Sequence, residues 1–294
     1  MMIHEKSTVK ELADYFLKNH VLNNYTKSTY DSYRGKLNNH VLPYIGAKRI
    51  NELKKYDVQN LIYSLNDKHS GLSSNSVRQI YTILRKVLSF AVELELTDRN
   101  ASDHIKIPPR VKYNPVIYSK PSVKKLLDKA RGSFLFIAIL FGVKLGLRRS
   151  EILSLRWNDI DLNNGTVSVT KANKSKHSTR TLKVPASILQ SLKDHKTEQK
   201  RAFKQFGAAH TGDTLIVCKP NGGAYNPTFI SRKFKEFLRQ NDLPVIRLHS
   251  LRHSFASHAH NDGMPVKQLS KALGHAAPVM SVETYVQIDE KYII

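Results

Sequence analysis

The sequence predicts a mainly α-helical protein, with an all-helical N-terminal domain and a larger, α-rich second domain that holds a small antiparallel β-sheet. Three observations predict this architecture. Apolar residues recur at three- and four-residue steps in most segments, which is the period of an amphipathic helix. Two short segments of the second half alternate apolar and polar residues, as a half-buried strand does. A proline-rich segment, 105–115, separates the two halves, because proline cannot continue a helix.

The N-terminal domain is predicted to cover residues 1–107 and to consist of helices. The first helix is expected to begin at one of two cap candidates, Ser28 or Thr29. Residues 108–115 follow this domain and are the predicted linker, since they carry three prolines. The apolar stripes that predict the helices lie at 30–41, 58–65 and 77–91.

The second domain is predicted to cover residues 116–294. A helix is expected to begin near Ser119, and the apolar run from Phe134 to Val143 predicts a buried helix after it. Two alternating segments joined by a basic connection predict a β-hairpin. The predicted strands are 166–170 and 179–184, with the connection at 171–178. Further helices are predicted at 186–205, 227–240, 249–259, 266–273 and 279–287.

The charge balance favours a polyanionic partner. The 294 residues include 47 Lys and Arg against 24 Asp and Glu, a formal net charge of +23. Residues 1–110 hold 17 basic and 11 acidic residues, and the remainder holds 30 and 13, so the excess is spread along the chain. A membrane-binding segment concentrates such charge in one amphipathic helix. Nucleic acid therefore fits the distribution better than a membrane surface does.

Several classes of protein are excluded or disfavoured. Cys218 is the only cysteine, which rules out an intramolecular disulfide and a thiolate metal cluster and suits a reducing cytoplasm. The N-terminus is charged and has no apolar core of an export signal. The longest apolar run is about half the length that a bilayer span needs. We expect a cytoplasmic protein associated with the nucleoid.

Four short segments of the second domain carry residues suited to phosphate chemistry. Arg148 stands at the turn between an apolar helix and a new one, where its guanidinium can bind a phosphate beside a helix N-terminus. Glu151 lies one turn later and can orient Arg148. Lys171, at the end of the first strand, is the candidate general acid, and Lys174 and Lys176 compete for that role.

The other two segments supply histidines, an arginine and a tyrosine. His249 and Arg252 are three residues apart, so on a helix they project from one face. His249 and His253 also form an H-x-x-x-H pair, but Ser250 replaces the glutamate of zinc proteases and Arg252 would repel a metal cation. We therefore predict no metal site. His275 follows a glycine, and Tyr285 lies ten residues after it.

Taken in order, these motifs resemble the tyrosine recombinase (phage integrase) family. They are G-L-R-R-S-E-I at 146–152, the lysine-bearing hairpin, H-S-L-R-H at 249–253, L-G-H at 273–275, and the tyrosine ten residues later. The resemblance covers essentially the whole chain, because the helical segment before the linker is similar to the family's SAM-like core-binding domain. It implies a site-specific recombinase that integrates or excises a phage or mobile element.

The resemblance also implies a role for each residue. Arg148 and Arg252 would clamp the scissile phosphate, and His249 and His275 would assist as hydrogen-bond donors and proton carriers. Lys171 would be the general acid and Glu151 would support the site. Tyr285 would form a 3′-phosphotyrosyl link and release a 5′-hydroxyl. Tyr292 is a competing tyrosine that lacks the ten-residue step from L-G-H.

The resemblance further implies the partners. These are double-stranded DNA, a homotetramer assembled on two DNA sites, and accessory DNA-bending or directionality proteins, with neither cofactor nor metal. No arm-binding domain is expected before residue 28, and the nine residues after Tyr285 form a shorter tail than many relatives carry. Two alternatives stay open: DNA relaxation of the type IB topoisomerase kind, and a DNA-binding relic without chemistry.

Overall fold

The computed structural model describes residues 3–111, 115–170 and 179–274. The chain divides into two compact units, Met1–Tyr113 and Asn114–Ile294, and each has its own apolar core. The mainly helical fold with a small antiparallel sheet, predicted from the sequence, is confirmed. In the described part of the chain, no helix is both long and apolar enough to cross a membrane.

The first unit is built from helices that pack around one core. Its longest helix begins after Ser73, whose hydroxyl accepts a hydrogen bond from the Ser76 amide at 3.2 Å. The α-helices are α1 (Val9–Phe16), α2 (Leu22–Asn24), α3 (Lys27–His40), α4 (Leu42–Ile45), α5 (Lys55–Asn66) and α6 (Ser74–Glu93). Leu17–Val21 is a π-helical turn, and Ile50–Glu52 and Lys68–Ser70 are 3-10 turns.

Two helix starts in this unit differ from the prediction. Helix α3 is capped by Thr26, whose hydroxyl accepts from the Thr29 amide at 3.4 Å, so the cap candidates Ser28 and Thr29 lie inside the helix. Helix α1 is absent from the prediction. It begins with a reciprocal cap, in which the Glu11 amide donates to the Thr8 hydroxyl and the Thr8 amide donates to the Glu11 carboxylate.

The residues that end the first unit are held on its helices by side-chain amides. Gln59 of α5 accepts from the Lys106 amide at 2.9 Å and donates to the Lys106 carbonyl at 3.0 Å. Asn75 of α6 bonds the amide and carbonyl of Val111 in the same way. Since each amide satisfies both backbone groups of an extended residue, the start of the predicted linker 108–115 is fixed to this unit.

The second unit combines seven helices, in its described residues, with a three-stranded sheet. The helices are α7 (Lys120–Ala130), α8 (Phe136–Leu145), α9 (Arg149–Ser154), α10 (Ala186–Gln205), α11 (Pro227–Gln240), α12 (Leu248–Asn261) and α13 (Val266–Leu273). The strands are β1 (Ile160–Asp161), β2 (Thr166–Val169) and β3 (Arg180–Lys183), in the order β1-β2-β3 and antiparallel throughout. Strand β1 is absent from the prediction, and the predicted helix 279–287 lies outside the described residues.

Helix α8 is apolar apart from Lys144, and eight of its ten residues are buried in the core of the second unit. Helix α12 packs directly against it at Gly142, where an added Cβ would lie 3.0 Å from the Leu251 Cβ. Gly146 ends α8 in the left-handed conformation, with φ of 62°. This close packing brings the start of α9 and one face of α12 together.

Candidate active site

Arg148 is placed by the junction of two helices. It follows the left-handed Gly146 by two residues and is the N-cap of α9. Its backbone amide donates to the Glu151 Oε2 at 2.7 Å, which satisfies one of the free amides at the helix start. The same carboxylate accepts from the Arg148 side chain, Nη1 to Oε1, at 2.9 Å. Arg148 is therefore held at both ends by one residue.

Glu151 is the electrostatic centre of the site. Its side chain is fully buried, with 0% exposed. The guanidinium of Arg180 donates to both of its oxygens at 3.0 Å, and the Arg252 Nη1 lies 3.9 Å from Oε2. Burial on its own would raise the pKa of Glu151, but the hydrogen bonds and charge of Arg180, followed by those of Arg148, lower the pKa to about 2. Glu151 is thus an anion at physiological pH.

Three arginines donate to consecutive carbonyl oxygens at the end of α13. Arg180 Nε bonds the Ala272 oxygen at 2.6 Å, Arg252 Nη2 bonds the Leu273 oxygen at 2.6 Å, and Arg148 Nη2 bonds the Gly274 oxygen at 2.9 Å. The last carbonyls of a helix lack partners within it and form the negative end of its dipole. This helix end therefore orients three cations, directly before His275 in the sequence.

Arg252 joins two helix ends in the interior. It lies on α12, and its side chain is 2% exposed. Its Nη1 donates to the Gly146 oxygen at the end of α8, at 2.7 Å, while Nη2 bonds the end of α13. Arg148, by contrast, keeps 29% of its side chain exposed. The two arginines differ accordingly, since Arg148 reaches the surface and Arg252 lies behind it.

His249 lies in the first turn of α12 as a solvent-exposed residue, and its ring packs edge-to-face on that of His253 with ring centroids 4.9 Å apart. The surrounding protein removes part of its hydration, and this burial lowers the pKa of His249, as do the charges of Arg252, Arg148 and Arg149. His249 is therefore neutral at pH 7. Within the described ranges, no three His, Cys, Asp or Glu side chains converge in a way that could hold a metal ion.

The structure brings together three of the residues singled out from the sequence, Arg148, Glu151 and Arg252, and places His249 within reach of their charges. The other candidates lie outside the described residues. These are Lys171 with its competitors Lys174 and Lys176, His275, and Tyr285 with its competitor Tyr292.

Arg180 belongs to this site but was not assigned to it from the sequence. It opens β3 opposite Val169 of β2, and its side chain points inward. A signal was available, because Arg180, Leu182 and Val184 share one face of an alternating segment. A charged residue in a row of inward positions needs a buried counter-ion, and Glu151 is the one that it finds.

Comparison with known proteins agrees with these features. The pattern of the phage integrase family matches residues 120–291, and that of the phage integrase N-terminal SAM-like domain matches residues 8–66. The ICEBs1 integrase of Bacillus subtilis (strain 168) is 27% identical over 87% of this chain and 73% of its own length. A tyrosine recombinase XerC-like protein of Caldanaerobacter subterraneus subsp. tengcongensis is 24% identical over 90% of this chain and 75% of its own.

Solved structures show the same fold. The Tn1549 transposon integrase in complex with transposon right end DNA superposes with a TM-score of 0.74 at 18% identity, covering 97% of this chain and 96% of that one. A lambda integrase tetramer bound to a Holliday junction gives a TM-score of 0.75 at 15% identity, covering 95% of this chain and 77% of that one. The resemblance drawn from the motifs is confirmed.

Proposed function

This chain belongs to the phage integrase family and is a tyrosine-type site-specific DNA recombinase, and on that premise we propose that Tyr285 is its nucleophile. The Tyr285 hydroxyl oxygen attacks the scissile phosphorus while His249 accepts its proton, and the bond from phosphorus to the 5′-oxygen breaks. Lys171 gives its proton to the departing 5′-oxygen. The product is a 3′-phosphotyrosyl link, which a 5′-hydroxyl of a second strand attacks to restore a phosphodiester and release the tyrosine.

One observation carries this proposal: the guanidiniums of Arg148 and Arg252 are fixed at a single helix end, beside one carboxylate. Negative charge grows on the phosphoryl oxygens as phosphorus becomes pentacoordinate, and donors already held in place stabilise it without reorganisation. In this scheme Arg148, the more exposed of the two, meets the phosphate first. His249, neutral at pH 7, and His275 donate hydrogen bonds to it.

The proposed partner is duplex DNA, which accounts for the formal net charge of +23. We place four copies of the chain on two DNA sites, by analogy with the lambda integrase tetramer that binds a Holliday junction. Accessory DNA-bending or directionality proteins would decide between integration and excision of a mobile element. Such a substrate locates the activity at the nucleoid of a bacterial cytoplasm.

A suicide DNA substrate tests the nucleophile. The duplexes are drawn from the DNA flanking the gene and nicked near the cleavage point, so that the short 5′-hydroxyl fragment diffuses away and the protein stays attached. With a chelator present, wild type is expected to give a covalent protein–DNA band and Tyr285→Phe none.

Tyr292→Phe is the matched control, because it removes the same hydroxyl seven positions later and should leave the band unchanged. Loss of the band in Tyr292→Phe, with retention in Tyr285→Phe, would reverse the assignment. Tight, salt-sensitive DNA binding without any band would contradict the catalytic proposal. Relaxation of any supercoiled plasmid, without paired sites, would indicate a topoisomerase instead.

A further inference from the structure

Arg180 contacts both groups that hold the side chain of Arg148. The first is Glu151, whose two oxygens accept from Arg180 Nη1 and Nη2 at 3.0 Å while Oε1 also accepts from Arg148 Nη1 at 2.9 Å. The second is the turn after α13. An added Cβ on Gly274 would lie 2.8 Å from Arg180 Nη1, and the Gly274 oxygen accepts from Arg148 Nη2. Arg180 therefore lies next to both acceptors of the Arg148 side chain.

The side chain of Arg180 faces the protein interior, and all three of its nitrogen atoms donate to protein oxygens. Only 4% of its side chain is exposed, and three of its donors point inward, to Glu151 and to the Ala272 oxygen. Two parallel hydrogen bonds from one planar guanidinium fix the plane of a carboxylate as well as its position. A lysine could supply the charge but not this fork.

The strand that carries Arg180 also belongs to the hairpin of the proposed general acid. Arg180 is paired with Val169 of β2, two residues before Lys171 in the sequence. From β3 its side chain reaches Glu151 of α9 and the end of α13, so one guanidinium joins the hairpin to two helices. A displacement of any one of these segments would move the partners of Arg148.

We propose that Arg180 is a positioning residue for DNA cleavage: acting through Glu151 and the turn at Gly274, it holds the Arg148 guanidinium where the scissile phosphate binds. The expected effect on the cleavage rate rests on the proposed function. The expected effect on the position of the Arg148 side chain does not depend on it. Misplacing a catalytic group by about 1 Å costs on the order of 10²-fold in rate.

The test compares Arg180→Gln and Arg180→Lys with wild type in the suicide-substrate reaction, together with DNA affinity and a crystal structure of each protein. Arg180→Gln should slow formation of the covalent adduct about 10²-fold, and Arg180→Lys should fall between it and wild type. DNA affinity should stay within about twofold of wild type, because the three guanidinium nitrogens of Arg180 are bound to protein oxygens. Lys183→Gln is the matched control, because it removes one positive charge from the exposed face of the same strand.

A double variant separates positioning from a general loss of structure. If Arg180 acts through Glu151 and the Gly274 turn, then Arg180→Met combined with Glu151→Gln should lose less cleavage than the product of the losses of Arg180→Met and Glu151→Gln measured singly. Removing both members of a buried ion pair is tolerated better than removing one, so the double variant is expected to fold even where a single variant does not.

Three results would overturn the inference. They are cleavage by Arg180→Gln within about twofold of wild type, additive losses in the double variant, or a loss of DNA affinity equal to the loss of cleavage. If wild type forms no adduct at all, the proposed function fails, and the crystal structures still decide the inference. An Arg148 guanidinium that stays on the Gly274 oxygen in Arg180→Gln would then contradict it, and a displaced one would support it.

Discussion

The charge of the site depends on one buried carboxylate. Arg148, Arg180 and Arg252 surround Glu151, so three cations face one anion and the cluster keeps a positive excess. A buried charge without a partner is costly, and Arg180 is nearly as buried as Glu151. Glu151 therefore permits Arg180 to be buried and leaves the remaining positive charge to face a phosphate.

Glu151→Gln should lower the free energy of unfolding at pH 7. It should also make that free energy fall less steeply as the pH is lowered. The pKa of Glu151 is about 2 in the fold against an ordinary 4.5. Its ionised form therefore stabilises the fold above about pH 4.5, and this contribution is lost as the pH falls from there towards 2. Removing one partner of a buried ion pair costs about 3–5 kcal/mol. Urea unfolding from pH 7 down to pH 3 measures both effects.

Glu236→Gln is the control for that substitution, because Glu236 pairs with Lys233 and Arg232 at the surface of the same unit. Its loss should change the free energy of unfolding by less than about 1 kcal/mol. Equal effects of Glu151→Gln and Glu236→Gln at pH 7 would mean that the buried pair contributes no more than a surface pair does.

The sequence predicted the short-range part of this cluster. Arg148 and Glu151 lie three residues apart at a helix start, so their contact follows from helical geometry alone. Arg180 lies 29 residues beyond its partner, and only the packing of β3 against α9 and α13 brings them together. Alternation could place Arg180 on the inward face of its strand, but it could not name the carboxylate that receives it.

The end of α13 matters because the three arginines bind its carbonyls. Gly274 ends the helix with φ of 64°, a conformation that side chains rarely adopt. Its missing Cβ also leaves room for the Arg180 guanidinium. Both requirements fall on one residue, so a substitution there tests backbone conformation and side-chain contact together.

Gly274→Ala should destabilise the protein more than Gly207→Ala does. Gly207 lies two residues after α10, with φ of 66°, and has nothing within 4 Å of an added Cβ, so its substitution costs only the left-handed conformation, about 1–2 kcal/mol. At Gly274 the new methyl group would also displace the Arg180 Nη1 that lies 2.8 Å away. Thermal unfolding of the two variants measures the difference. Equal losses would show that Arg180 moves aside at no cost.

Helices were easier to predict than their starts or the edge of the sheet. The stripes along α5 and α6 are long enough to show the helical period, and their buried residues follow it. Helix α1 has eight residues and β1 has two, too few to establish a period. The start of α3 depends on which hydroxyl group accepts a hydrogen bond from a backbone amide of the first turn. The sequence has several neighbouring hydroxyl groups there, and Thr26 is the one that caps the helix.

Both units of the chain carry a net positive charge. Residues 1–110 carry 17 basic against 11 acidic residues, and the remainder carries 30 against 13. Some of these Lys and Arg residues form ion pairs at the surface. Because basic residues outnumber acidic ones, pairing cannot neutralise all of the positive charge. Such a field attracts DNA before any base is read, and it draws on both units of the chain.

DNA binding should therefore depend steeply on salt. Each phosphate neutralised by Lys or Arg releases condensed counterions, so the logarithm of the binding constant falls with the logarithm of the salt concentration with a slope of about −0.9 per contact. For roughly six to ten contacts, affinity should fall on the order of 10³- to 10⁵-fold between about 50 and 200 mM salt. Fluorescence anisotropy with a duplex of arbitrary sequence measures the slope.

Arg180→Gln provides the internal reference for this slope. Its side chain is 4% exposed and bound to Glu151, so it neutralises no phosphate, and the variant should reproduce the wild-type slope although it cleaves poorly. A shallower slope in Arg180→Gln would count Arg180 among the phosphate contacts. A slope near zero in wild type would mean that the excess charge does not serve DNA binding, since counterion release accompanies every such contact.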